Sequence, residues 1–106
     1  MAQFDVHRNT GRQRETIPFV VVVQSSLYAR SGRRVVVPLV RRSTLGNLPE
    51  SPLNPLFRVD GVDVVLNPLE IVSVAVDSLG ECVGSLAASS DDVLRALDEL
   101  LSRSWD

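Results

Sequence analysis

The sequence predicts an α+β fold, in which an antiparallel sheet is followed by one C-terminal helix. Runs of β-branched residues, above all FVVVV at residues 19–23, are separated by Gly, Pro and Asp turn signals. Near residue 90 the period of the apolar residues changes from two to about 3.6. The chain has 106 residues, 44% of them hydrophobic, which suits one small packed domain.

The first two predicted strands are separated by an Arg-rich turn at residues 8–12. Phe4 and Val6 alternate with polar neighbours, as on a half-buried strand. Residues 19–23 are typical of a central strand that is buried on both faces. Pro18 lies at the entrance of this strand, where a missing N–H matters least.

The middle of the chain combines strands with an irregular connection. We expect the three valines at residues 35–37 to form a strand that ends at Pro38. Residues 41–55 contain three prolines and a glycine, so they predict a surface loop. An Asp-Gly pair at the centre of residues 57–66 predicts a tight hairpin, because it tolerates positive φ. Residues 71–76 supply a further strand.

The C-terminal segment predicts an amphipathic helix. Ser89 or Ser90 is a suitable N-cap, and Asp91 and Asp92 place negative charge at the positive end of the helix dipole. Arg103 lies near the negative end. The apolar stripe expected on one face consists of Val93, Leu94, Leu97, Leu100 and Leu101.

The two signs of charge are segregated along the chain. Residues 1–42 hold eight Arg and two acidic residues, whereas residues 43–106 hold three Arg and eleven acidic residues. The planar guanidinium suits carboxylates and phosphates, so the basic half could dock an acidic partner segment. The alternative is that these arginines are solvated surface groups that contribute little.

The sequence contains no motif that indicates catalysis. It has no phosphate-binding loop, dinucleotide fingerprint, metal-spaced ligand cluster or nucleophile elbow, so we predict a non-enzyme without cofactor or metal. We interpret His7 as an ordinary strand-end histidine, because a general base needs a converging nucleophile and orienting group. Cys82 is expected to be a buried and unreactive thiol.

The expected location is the cytoplasm, and the net charge argues against direct DNA binding. One cysteine cannot form an intrachain disulfide, which fits a reducing compartment. Neither a signal peptide nor a membrane-spanning run is expected from the apolar pattern. The net charge is −2 and aromatic residues are few, unlike the basic, aromatic-interleaved surfaces that bind nucleic acid.

Blocks along nearly the whole chain resemble the CcdB family of toxins in order and spacing. The blocks are QFDV at residues 3–6, FVVVVQS at 19–25, GRRVVVPL at 32–39, IVSVAV at 71–76, LGECV at 79–83 and the helix at 91–101. The VQS and GRRVVVPL blocks are far more specific than any hydrophobic pattern. The resemblance implies a CcdB/MazF-like fold, related to SH3-like barrels, with a twisted antiparallel sheet and a C-terminal α-helix. It further implies that residues 1–106 form a single toxin domain that homodimerises.

The resemblance also implies a function in a type II toxin–antitoxin module of the kind linked to plasmid maintenance. Such toxins bind the breakage–reunion subunit of DNA gyrase, and they trap the enzyme on cleaved DNA without performing catalysis. A partly disordered CcdA-like antitoxin neutralises the toxin. Toxin and antitoxin together bind operator DNA and repress their shared operon.

The C-terminus departs from the family pattern. Family members end the helix with Trp-Gly-Ile, and these three residues carry gyrase poisoning. Here the aligned positions are Ser102, Arg103 and Ser104, followed by Trp105 and Asp106, and these five are the candidate gyrase-binding residues. Trp105 could anchor a partner or could cover an edge of the core.

Antitoxin contact in this family runs over the segment after Gln-Ser and along the helix. We expect Tyr28, Arg33 and Arg34 to bind the antitoxin tail, with the two arginines pairing to its carboxylates. The candidate antitoxin-binding residues are Gln24, Ser25, Ser26, Leu27, Tyr28, Arg33 and Arg34.

Two alternative functions remain open from the sequence. The altered C-terminus favours a CcdB-like homologue that binds antitoxin but has lost or changed its target. A MazF-like ribonuclease would depend on Arg33, Arg34 or His7 for RNA cleavage.

Overall fold

The chain forms a curled antiparallel sheet followed by one α-helix within residues 2–47 and 51–102, which the computed structural model describes. The helix, α1, spans Ser90–Ser102, and short 3-10 turns connect several of the strands. None of these helices is long and apolar enough to cross a membrane. The strands are β1 Asp5–Arg8, β2 Phe19–Val22, β3 Arg33–Arg41, β4 Leu56–Val59, β5 Val62–Leu66, β6 Val72–Ala75 and β7 Cys82–Ser85.

The strand order is β4-β5-β3-β2-β1-β7, and β6 also pairs with β3. The expected α+β class with a twisted antiparallel sheet and a C-terminal helix is confirmed. The sheet has one strand, β7, that the strand patterns did not single out, because its four residues include Gly84 and only one β-branched residue, Val83. The β4–β5 hairpin turns at Asp60 and Gly61, both with positive φ (50° and 78°), as predicted.

The expectation that β3 ends at Pro38 is wrong, because β3 continues to Arg41. On one edge, β3 pairs with β6 over Arg33–Val36 and then with β5 from Leu39 onward. Pro38 lies between these two partners, and its carbonyl accepts a hydrogen bond from the Asn67 N–H at 3.0 Å. The N–H and C=O of one residue point to the same edge of a strand. The position where Pro38 lacks an N–H therefore faces the gap between β6 and β5, and no strand-to-strand hydrogen bond is lost there.

The core lies between one face of the sheet and α1. Register pairs Val6 with Val21 and Val21 with Val37, which places these three fully buried valines on the same face. Phe19 and Leu39 extend this apolar layer, and both are also buried. The central position predicted for residues 19–23 is confirmed. The predicted two-sided burial holds only in part, because Val22 is buried on the face opposite the core but Val20 on that face is half-buried.

The predicted helix is present, but the stripe of side chains that it buries is narrower than the predicted stripe and is rotated around the helix relative to it. Val93 and Ala96 are fully buried, and Leu97 packs against the same core. Leu94 and Leu101 are 47% and 73% exposed, so they do not belong to the buried stripe. Ser90 already has helical angles (φ −55°, ψ −34°) because a 3-10 turn leads directly into α1, so it is the first helical residue rather than the N-cap.

Candidate functional site

An exposed apolar pair projects from the connection between β2 and β3. Ser26–Tyr28 forms a 3-10 turn, and the Ser25 hydroxyl accepts a hydrogen bond from the Leu27 N–H at 3.2 Å. The turn buries none of its residues, and Leu27 and Tyr28 are 87% and 65% exposed. Adjacent large apolar side chains that are exposed to solvent are typical of a surface that binds a partner.

The side chain of Gln24 holds this connection in place. Its amide nitrogen donates to the carbonyls of Tyr28 at 3.1 Å and Arg33 at 3.3 Å. Its amide oxygen accepts a hydrogen bond from the Val35 N–H at 3.0 Å. Gln24 therefore supports the exposed pair, and its amide is satisfied by the chain itself.

The two arginines at the start of β3 have different environments. Arg34 is only 8% exposed, and its guanidinium donates to the carbonyls of Ser31 at 2.6 Å, Arg33 at 2.8 Å and Ala29 at 2.8 Å. Arg33 is exposed and donates to the Ser73 hydroxyl and carbonyl on β6. Arg33 is thus the accessible cation, whereas Arg34 fixes the loop that precedes it.

Neither of these arginines has a carboxylate partner among residues 2–47 and 51–102. The ion pairs in that part of the chain join Arg8 to Asp60 and Glu81, and Arg58 to Asp63. An accessible guanidinium without a counter-ion there is well suited to a carboxylate supplied by another molecule.

A second exposed apolar surface lies on α1. Leu94 and Leu101 are seven residues apart, so they lie on one side of the helix. Leu69, which is 68% exposed, lies in the 3-10 turn Pro68–Glu70 that contacts α1. The Ser102 hydroxyl donates to the Asp98 carboxylate within the last turn of α1. The other four predicted gyrase-binding residues, Arg103, Ser104, Trp105 and Asp106, lie outside the described residues.

Sequence reasoning missed a groove of about 500 Å³ on the face of the sheet opposite the core. Its apolar wall includes Val20, Val36, Pro38 and Val72, and the Arg-rich turn at residues 8–11 forms one rim. The signal that could have indicated it is the uninterrupted apolar character of β2 and β3, which leaves an apolar side chain on both faces.

His7 is not placed beside the predicted arginines. It is 4% exposed on β1, and Val20 pairs with both His7 and Pro38. Across the sheet, His7 on β1 therefore lies opposite Pro38 on β3 and not opposite Arg33. Strand β2 lies between β1 and β3. The His7 and arginine set that a MazF-like ribonuclease would require is not assembled among the described residues.

The expectation of a buried thiol is wrong, because Cys82 is exposed. The strand that carries it, β7, is at the edge of the sheet and pairs only with β1 within the described strand order. An edge strand has a neighbouring strand on one flank only, so its side chains have cross-strand neighbours on that flank alone and are less covered.

The comparison with known families agrees with this architecture. The family model for the CcdB protein matches residues 3–102, and so spans nearly the whole chain of 106 residues. A search of curated proteins gave no match. The family match, together with the curled antiparallel sheet and closing helix, shows that the chain belongs to the CcdB family of toxins.

Proposed function

We propose that this chain is the toxin of a type II toxin–antitoxin module that binds the breakage–reunion subunit of DNA gyrase and traps its cleaved-DNA complex. The observation that carries the proposal is the family match over residues 3–102. The toxin acts by occupying the surface of its target and not by transforming a substrate. Residues 1–106 act as one toxin domain, located in the cytoplasm.

A CcdA-like antitoxin neutralises the toxin through two surfaces in this proposal. The first is the exposed pair Leu27 and Tyr28 next to Arg33, and the second is the outer side of α1 around Leu94 and Leu101. A partly disordered antitoxin tail orders on binding, buries these apolar side chains and places a carboxylate on Arg33. Ser25, Gln24 and Arg34 set the shape of the first surface, because their side-chain polar atoms bond to the loop itself.

The complex with antitoxin represses the shared operon in this proposal. The chain has a net charge of −2, so DNA affinity is assigned to the complex and not to the free toxin. The toxin acts as a homodimer, which is supported by the family match and by the small core that a chain of this length can build. Light scattering on the purified protein at micromolar concentration tests the dimer, and a mass near 11.6 kDa contradicts it.

Gyrase contact is assigned to Ser102 and the four residues after it. Ser102, Arg103 and Ser104 stand where the family has Trp-Gly-Ile, and Trp105, which follows them, supplies a large aromatic surface that suits a binding anchor. The same replacement favours the second candidate function, a toxin homologue that binds antitoxin but has lost or changed its target.

Expression without antitoxin distinguishes the two candidates. The gyrase proposal predicts growth arrest with DNA-damage signalling, and relief by a gyrase whose breakage–reunion subunit lacks the toxin contact. Deleting Trp105 and Asp106 then abolishes both the arrest and the binding of purified gyrase. Harmless expression with intact antitoxin binding supports the second candidate. Arrest that is indifferent to the gyrase allele contradicts the gyrase proposal, and mRNA cleavage by the purified protein identifies a MazF-like activity instead.

A further inference from the structure

Three potential metal ligands from distant parts of the sequence meet where β1 pairs with β7. A carboxylate oxygen of Asp5, a ring nitrogen of His7 and the sulfur of Cys82 all lie within 4.8 Å of one another. Asp5 and His7 are two residues apart on one strand, so their side chains leave the same face. Cys82 is the register partner of His7 on β7.

An irregularity in strand pairing brings the thiol opposite the imidazole. Val6 pairs with Gly84, but His7 pairs with Cys82, so Val83 is an extra residue on β7. With regular pairing His7 would face Val83, and the thiol would fall on the next position. Bulges of this kind commonly re-aim a side chain at functional sites.

The His7 ring is held in the form that a metal ion requires. Its Nδ1 lies 2.9 Å from the carbonyl oxygen of Gly80, which can only accept, so Nδ1 carries the proton. In the neutral imidazole Nε2 then carries the lone pair, and this atom is buried without a hydrogen-bond partner. An Nδ1–H bonded to a backbone carbonyl is the usual support for a histidine that ligates a metal through its other nitrogen.

We propose that Asp5, His7 and Cys82 bind one Zn²⁺ ion. Thiolate, imidazole and carboxylate are the three donor types that zinc uses in proteins, and two anionic ligands balance the charge of the ion. Cys82 is exposed and Asp5 is half-buried, so the ion can enter from solvent and complete its coordination with water. The metal would join β1 to the edge strand that leads into α1, and would thereby stabilise the folded chain.

The test uses the full chain, kept reduced, with zinc alone as the probe. Calorimetric titration is expected to show one zinc ion per chain, and zinc is expected to raise the melting temperature. Cobalt in place of zinc is expected to give the absorption band of a thiolate–metal bond. C82S and D5N should lose the zinc-dependent rise in melting temperature, and C82S should also lose the cobalt band.

E81Q is the matched control, because Glu81 is an exposed carboxylate next to Cys82 that pairs with Arg8 at 3.6 Å. It should bind zinc as the unchanged chain does. His7 is buried and its replacement could unfold the chain, so C82S and D5N carry the test, with circular dichroism to verify their fold. A folded chain that binds no zinc overturns the proposal, and so does a folded C82S that binds zinc as tightly as the unchanged chain.

Discussion

The side-chain oxygen of Gln24 accepts the backbone N–H of Val35 at 3.0 Å, across the connection between β2 and β3. The neighbouring Val23 N–H donates to the Val35 carbonyl at 3.0 Å, so Gln24 continues the pairing of the two strands beyond the last backbone bond. The other end of the same amide holds Tyr28 and Arg33 through their carbonyls. One side chain thus connects the sheet to the surface that we assign to the antitoxin.

Gln24→Ala is expected to lower the free energy of unfolding by about 1–3 kcal/mol, because it leaves the partly buried Val35 N–H and two carbonyls without their partner. Equilibrium denaturation measures this change. Gln13→Ala, at an exposed position, is the control and should shift stability by less than about 0.5 kcal/mol. Equal effects of the two substitutions would show that Gln24 does not support the loop.

Arg34→Lys is expected to lower the free energy of unfolding by about 1–3 kcal/mol, because a lysine ammonium cannot reproduce the fork that reaches three carbonyls. Arg33→Lys should have a smaller effect on stability, since Arg33 is exposed and water can replace the bonds that it donates to Ser73. The order should reverse for antitoxin affinity at low salt. There Arg33→Lys should weaken binding more than Arg34→Lys does, because Arg33 is the accessible cation. Denaturation and calorimetric titration of both variants give the comparison.

The sequence is sufficient to predict the elements that depend on local chemistry. The β4–β5 hairpin follows from Asp60 and Gly61, and α1 follows from its acidic first turn and apolar period. The interior position of Pro38 could not be predicted, because it depends on β3 changing partners on one edge. That change is a long-range property of the sheet and leaves no mark in the residues around Pro38.

The candidate surfaces show the same division between local and long-range information. The exposure of Leu27 and Tyr28 follows from a segment that is too short and too turn-rich to pack. The burial of Arg34 and the meeting of His7 with Cys82 depend on strand register between distant segments. No hairpin turn joins these segments, so turn length does not fix their register and the sequence alone does not predict it.

Gly80→Ala is expected to destabilise the fold by about 1–3 kcal/mol, because a Cβ at this position would lie 2.7 Å from the Arg8 carbonyl oxygen. That oxygen also accepts a hydrogen bond from the Gly80 N–H at 3.1 Å, so the connection that precedes β7 cannot move away from β1 without losing this bond. Gly84→Ala in β7 is the control, since nothing lies within 4 Å of its added Cβ. Thermal denaturation of the two variants separates the effect of the close approach at Gly80 from a general intolerance of alanine in this part of the chain.

Val93 and Leu94 are neighbours on α1, but one faces the core and the other faces solvent. Val93 is fully buried, whereas Leu94 is 47% exposed. Val93→Ala should lower the free energy of unfolding by about 1–3 kcal/mol through lost burial and the cavity left behind. Leu94→Ala should change it by less than about 1 kcal/mol, since alanine favours the helix and little burial is lost.

Antitoxin binding should respond in the opposite way to these two substitutions. Leu94→Ala removes apolar surface that the antitoxin buries, so affinity should fall about tenfold, which corresponds to about 1.4 kcal/mol. Val93→Ala, measured where the variant is fully folded, should retain its affinity because its side chain cannot reach a partner. A Leu94→Ala protein that binds the cognate antitoxin with undiminished affinity would remove α1 from the proposed antitoxin surface and leave Leu27 and Tyr28 as its apolar centre.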